Sequence, residues 1–207
     1  MIAALVLAAG QSSRTAPAHK LLATDHAGVS LVARTVEHVL ASAARPVWIV
    51  VGHQAEAIRS SLLAGNSGDE MHFVHAPDYR QGLSASLRAG LAALPDAIAG
   101  VVICLGDMPF VTPGTVDRLI EAFVAGRIVV PICDGERGNP VLWDRCFISE
   151  MMQIAGDRGA RDLLAQYSGL VIEVSVADRG VLRDCDTAEA LRDWTTAITP
   201  GYKQATI

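Results

Sequence analysis

The sequence predicts an α/β protein with a parallel sheet covered by helices. Short apolar runs at Ile2 to Ala8, Val47 to Val51, Met71 to Val74 and Val101 to Leu105 are rich in Val and Ile and run out into Gly, Asp or Pro, as buried strands do. Between them lie helix-like stretches, Ser30 to Ala43, Gln54 to Leu63, Leu83 to Leu94 and Pro113 to Ala125, so the order reads βαβαβαβα. The chain of 207 residues is 51% hydrophobic and 19% charged, which suits one globular domain with a single sizeable core.

Each element carries its own signal. Ile2 to Ala8 is uninterrupted apolar sequence of strand length. Ser30 to Ala43 places Leu31, Val32, Val36, Val39 and Leu40 on one helical stripe. In a sheet of this kind, ligands bind beyond the carboxyl ends of the strands, so the loops after strands one, two and four are the functional candidates. After Ala125 the rhythm changes. Ile128 to Ile132 and Val141 to Trp143 flank the turn-rich DGERGNP with no room for a helix, which predicts a hairpin or an antiparallel insertion. Helices are expected at Arg145 to Gln153, Arg158 to Tyr167 and Thr187 to about Thr196, and a strand at Val171 to Val176. Residues 1–199 are expected to form one domain, with 200–207 a mobile tail.

Composition narrows the function. The net charge of −5 argues against non-specific nucleic-acid or membrane binding. No apolar run approaches the roughly 18 residues needed to cross a bilayer. Met1 to Ala9 lacks the basic flank of a signal peptide, so a cytoplasmic location is expected. Cys104, Cys133, Cys146 and Cys185 are scattered without a CxxC pair, which predicts reduced thiols.

Three segments carry chemistry. The first strand stops at Leu7-Ala8-Ala9-Gly10 and continues through Gln11-Ser12-Ser13, offering successive N–H groups that large side chains do not obstruct, a curve able to wrap phosphates. Arg14 adds a planar fork and Lys20 a point charge; taken alone, the loop reads equally well as an ordinary turn with exposed basic residues. Asp107, in Gly106-Asp107-Met108-Pro109, stands just beyond the fourth strand, where such a sheet presents a catalytic group. A carboxylate facing a polyphosphate requires a hard cation between them, and Mg²⁺ takes one or two carboxylates plus phosphate oxygens. Asp186, in Arg183-Asp184-Cys185-Asp186-Thr187, is the candidate second carboxylate; it equally suits a helix N-cap. Gly156-Asp157-Arg158-Gly159-Ala160-Arg161 sets Arg158 and Arg161 three apart at a helix start, able to hold a phosphate, while a solvated helix start capped by Asp157 is the plainer reading of Arg158.

Leu7 to Gly10 with Ser12-Ser13-Arg14 and a following lysine, then Gly106-Asp107-Met108-Pro109, then Asp184 to Thr187, resemble the nucleotidyltransferases of the molybdenum-cofactor family. Within them, Gly82-Leu83-Ser84-Ala85-Ser86-Leu87-Arg88 and Gly138-Asn139-Pro140-Val141-Leu142 resemble the cytidylyltransferase branch, and the resemblance runs from Leu5 to Leu191. It implies a three-layer αβα, Rossmann-like nucleotide-diphospho-sugar transferase fold with a mostly parallel mixed sheet. It implies Mg²⁺ on Asp107 and Asp186, and a triphosphate cradled by the Ala8 to Arg14 loop with Lys20. Arg14, Lys20 and Asp107 would be catalytic. Gly82, Ser84 and Ser86 would read the base, with helix capping as the alternative for Ser84. Asn139, Arg158 and Arg161 would take the acceptor. The implied reaction moves CMP from CTP, or another NTP in a sister branch, to the terminal phosphate of molybdopterin, with transient contact to a molybdenum hydroxylase. The chain departs from the family in having Thr15-Ala16 where Met-Gly is usual, and Ala188 where proline is preferred.

Overall fold

The computed structural model describes residues 1–11, 19–64, 70–156 and 160–196. At its centre, β1 (Ile2–Ala8) is buried along its whole length. A strand covered on both faces has no polar side to show, which is why it reads as an unbroken apolar run. Three further strands lie parallel to it in the order β3-β2-β1-β4: β2 (Val47–Val51), β3 (Met71–His75) and β4 (Gly100–Leu105).

Beyond β4 the sheet becomes mixed. β5 (Ile128–Cys133) turns through Asp134 and Gly135, both at positive φ, into the short β6 (Glu136–Arg137), which pairs back on β5 antiparallel. The chain then returns as β7 (Val141–Asp144), inserted antiparallel between β4 and β5. The antiparallel insertion expected around DGERGNP is therefore present, and β8 (Val171–Ser175) closes the sheet parallel to β5. The mostly parallel mixed sheet is thus the one expected: the βα rhythm gives β3-β2-β1-β4, and β7 enters antiparallel because it reaches its place without a crossover helix.

The sheet separates two helical layers. The even residues of β1 pack towards α1 (Leu31–Leu40), α2 (Ala55–Leu63), α4 (Pro113–Glu121) and α7 (Ala188–Thr196). The odd residues pack towards α3 (Leu83–Ala93), α5 (Ile148–Met151) and α6 (Arg161–Gln166). Several helices are shorter than expected. α1 stops at Leu40 because the Arg45 guanidinium folds back onto the carbonyls of Leu40, Ser42 and Ala44. The helix expected from Arg145 starts as a 3-10 turn over Arg145–Phe147, with Asp144 accepting the Cys146 N–H. Among the described residues no helix is long and apolar enough to cross a membrane.

One buried ion pair ties the segment after Lys20 to α1. The Asp25 side chain is 1% exposed; it accepts from the N–H groups of Ala27 and Val29 and from Arg34 Nη2, the last at 2.9 Å. Burial alone would raise the Asp25 pKa, but these donors outweigh it and hold it below the ordinary value. With the folded pKa below the unfolded value of about 3.9, this contribution is complete above that value and is lost as pH falls through the folded pKa. Arg34→Met is expected to destabilise the protein by roughly 3 kcal/mol at neutral pH, because it leaves a buried charge without its cation. Urea unfolding at pH 7 and pH 3 checks this, with a smaller difference expected at the lower pH.

Candidate active site

The carboxyl ends of β1 and β4, the start of α3 and the segment before α7 surround a cavity of about 460 Å³. Its lining includes Leu7, Ala9, Gly10, Lys20, Gly82, Ser86, Asp107, Arg161 and Asp186, so distant parts of the sequence converge on one place.

Each group reaches the cavity for a local reason. Leu7 and Ala9 line it while Ala8 turns into the opposite layer, as strand alternation requires. Gly82, at φ 104°, stands in a region that side-chain-bearing residues rarely adopt, and this sharp entry sets the first turn of α3 against the cavity. Ser84 does not line the cavity: it is 1% exposed, and its backbone N–H donates to the Gly156 carbonyl. Ser86 does line it.

Lys20 opens a 3-10 turn, and the chain beyond is pinned where Trp194 Nε1 donates to the Ala23 carbonyl. Lys20 Nζ donates to Asp107 Oδ2 at 2.6 Å and makes a second short contact with Asp186 Oδ1. Its side chain is only 13% exposed. Burial would lower the lysine pKa, but the charge and hydrogen bond of Asp107, joined by Asp186, outweigh it and raise the value. Lys20 is therefore a fixed cation.

The two carboxylate loops meet through the backbone, where the Cys185 N–H donates to the Asp107 carbonyl at 3.0 Å. Asp184 also lines the cavity, and its pKa is raised by burial and then by the charges of Asp186 and Asp107. Among the described residues no group of three or more His, Cys, Asp or Glu is arranged to hold a metal. Two carboxylates that share an ammonium group nonetheless fit a hard divalent cation whose remaining ligands are water and phosphate oxygens.

Other expected groups fall elsewhere. Asn139 lies outside the cavity lining, two residues before β7, and its N–H donates to the Val181 carbonyl. Arg161 is the first residue of α6 and faces the cavity. Ser12, Ser13, Arg14, Arg158 and the tail lie outside the described residues. The buried thiols of Cys104 and Cys185 are both pushed up to about 12, chiefly by burial, so neither is a reactive thiolate.

Among the polar lining residues, the sequence assigns no role to Tyr79, Arg80 and Asp184. Asp184 reaches the cavity because of how its neighbour packs. In Asp184-Cys185-Asp186 the thiol is fully buried, so alternation along extended chain turns both flanking carboxylates away from the core. Tyr79 and Arg80 precede Gly82 in a 3-10 turn that carries no sequence signature of binding.

The description "MobA-like NTP transferase domain" belongs to a family model that matches residues 4–170. The chain belongs to this family. It carries a nucleotidyltransferase domain, and the mixed, mostly parallel sheet is the fold of its structural neighbours. It is 30% identical over 131 residues to the bifunctional protein GlmU of Anaeromyxobacter sp. (strain K), a match covering 63% of this chain and 27% of that protein. The chain thus spans about a quarter of that curated relative. The crystal structure of Rv0371c from Mycobacterium tuberculosis superposes with a TM-score of 0.82 at 28% identity, covering 94% of this chain and 96% of that one. Rv0371c is also known in complex with manganese, which matches with a TM-score of 0.75 at 26% identity over 94% and 97% of the two chains. Molybdopterin-guanine dinucleotide biosynthesis protein A from Archaeoglobus fulgidus shares the fold, with a TM-score of 0.64 at 18% identity over 94% and 97%.

Proposed function

We propose that this nucleotidyltransferase moves CMP from CTP to the terminal phosphate of molybdopterin with Mg²⁺, releasing pyrophosphate. The observation that carries the reading is the Lys20, Asp107 and Asp186 cluster, set in a cavity that also meets the end of β1 and the first turn of α3. The Gly82 to Arg88 and Gly138 to Leu142 segments, which resemble the cytidylyl branch, support the choice of base.

In this reading Asp107 and Asp186 hold the Mg²⁺, which when bound would neutralise phosphate charge and orient the α-phosphate. The N–H groups after β1, with Arg14, cradle the triphosphate, and Gly82 and Ser86 mark the base side, while Ser84, buried outside the cavity, serves the first turn of α3. Lys20 supplies positive charge where the leaving pyrophosphate develops its own. Arg161, with Arg158 and Asn139, binds the acceptor phosphate. A phosphate monoester has its second pKa near ~6, so at neutral pH the acceptor is already ionised and requires no general base. Transient contact with a molybdenum hydroxylase, and a cytoplasmic location, complete the proposal.

The test is pyrophosphate release from CTP, GTP and ATP with Mg²⁺, with and without molybdenum-loaded molybdopterin. Acceptor-dependent release favouring CTP by about tenfold or more is expected, since base choice rests on a few polar contacts. A preference for GTP would move the chain to the guanylyl branch. Release with a sugar phosphate in place of the pterin would replace the acceptor. Pterin binding without release would leave a carrier.

A further inference from the structure

The candidate carboxylates sit on two loops from different parts of the chain: Asp107 follows β4, and Asp186 precedes α7. Metal binding by both requires their separation to be held, and one backbone hydrogen bond, from Cys185 to Asp107, is a thin tie for two loops. A second tie lies away from the cavity, at Asp178.

The Asp178 side chain reaches across to the start of α4. Its Oδ2 accepts the Thr112 N–H at 2.8 Å, the Thr112 hydroxyl at 2.9 Å and the Thr115 hydroxyl at 2.7 Å. Its Oδ1 accepts the Gly180 N–H at 2.9 Å. Thr112 is the N-cap of α4, but its own side chain makes no capping bond, so a carboxylate from a distant segment satisfies the helix start instead. Charge-assisted bonds to a helix N-terminus are among the stronger polar contacts.

The same two segments interlock sterically. A Cβ on Gly180 would stand 2.2 Å from the Phe110 carbonyl oxygen, so only glycine permits this approach of backbone to backbone. Arg183 covers the Phe110 ring at 4.5 Å, and Phe110 packs edge-on against Trp194 of α7 at 5.9 Å. Residues 107–115 and 178–186 therefore form one clamped unit whose cavity end carries Asp107 and Asp186.

We propose that Asp178 is a positioning residue: it clamps the loop after β4 to the segment before α7 and so sets Asp107 and Asp186 for a divalent cation. The inference rests on the metal reading given under Proposed function. Hydrogen-bonding partners that orient metal ligands typically change metal affinity 10- to 100-fold when removed.

The experiment is Mn²⁺ binding to the full chain without nucleotide, followed by calorimetry and by the paramagnetic signal of free Mn²⁺. Circular dichroism and thermal unfolding establish that each variant is folded. Asp178→Ala is expected to weaken Mn²⁺ binding about tenfold, the low end of that range, since Asp178 bonds the loops that carry the carboxylates and neither carboxylate itself. Asp178→Asn, which keeps acceptor oxygen but loses the charge, is expected to fall between the two. Gly180→Ala, which forces the same segments apart from the other side, is expected to weaken binding as well. A folded Asp178→Ala protein that binds Mn²⁺ as tightly as the wild type overturns the inference while leaving the metal reading intact. Should Asp178→Ala fail to fold, Thr115→Val decides: weakened binding supports the clamp and unchanged binding overturns it. A wild-type chain without a Mn²⁺ site overturns the metal reading and the clamp together.

Discussion

Replacing Asp107 by asparagine is expected to lower turnover by about 10²- to 10³-fold, the scale on which removal of one preorganised electrostatic group acts in a catalytic site. The side chain's described contact is with Lys20 at 2.6 Å, and Lys20 keeps its second partner in Asp186. The backbone carbonyl of residue 107, which accepts the Cys185 N–H, is unaffected by the change. Folding should therefore be spared. Asparagine keeps the shape but removes the charge that would hold a divalent cation against phosphate repulsion. Pyrophosphate release measured across a Mg²⁺ titration checks this, with thermal unfolding run alongside. A rate loss that saturating Mg²⁺ does not restore, with thermal stability close to that of the wild type, is the expected result. Undiminished turnover would place the metal elsewhere.

Lys20→Met is expected to cost about 10²-fold in kcat/KM for the nucleotide, again on the scale of one lost electrostatic contact to developing charge. Methionine preserves much of the largely buried stem, so the loss is mainly one of charge. The same variant should bind Mn²⁺ at least as tightly as the wild type when nucleotide is absent. The ammonium lies between the carboxylates and shares their negative charge, so its removal frees both for the metal. Because Asp107 and Asp186 hold the lysine pKa above its ordinary value, Lys20 remains charged throughout the neutral range, and its loss should produce no new pH dependence there. Steady-state kinetics with Mn²⁺ calorimetry separate the two effects. Weaker Mn²⁺ binding in Lys20→Met would mean that the lysine supports the metal site instead of sharing it.

Much of the fold was legible because its signals are local. β1, β2 and β4 are apolar on both faces, and such runs end where the chain leaves the sheet, so the positions of Gly10, Gly52 and Gly106 follow. Helix α1 showed its buried stripe, but its end did not show, since Arg45 terminates it through a side chain that reaches back to three carbonyls. Asp107 was legible as a carboxylate at a strand end. Asp184 was missed because its exposure to the cavity depends on Cys185 being buried, which is a fact about packing.

The sequence by itself determined the βα order, the candidate phosphate loop and the identities of Lys20, Asp107 and Asp186, because strand burial and charge are properties of residues and their neighbours in the chain. Only the tertiary structure decided that β7 enters antiparallel between β4 and β5, that Ser84 is turned away while Ser86 faces the cavity, and that Lys20 stands between two carboxylates from loops 79 residues apart. Those arrangements arise from contacts between distant segments, among them the clamp at Asp178, and no local pattern encodes which distant partner a loop will meet.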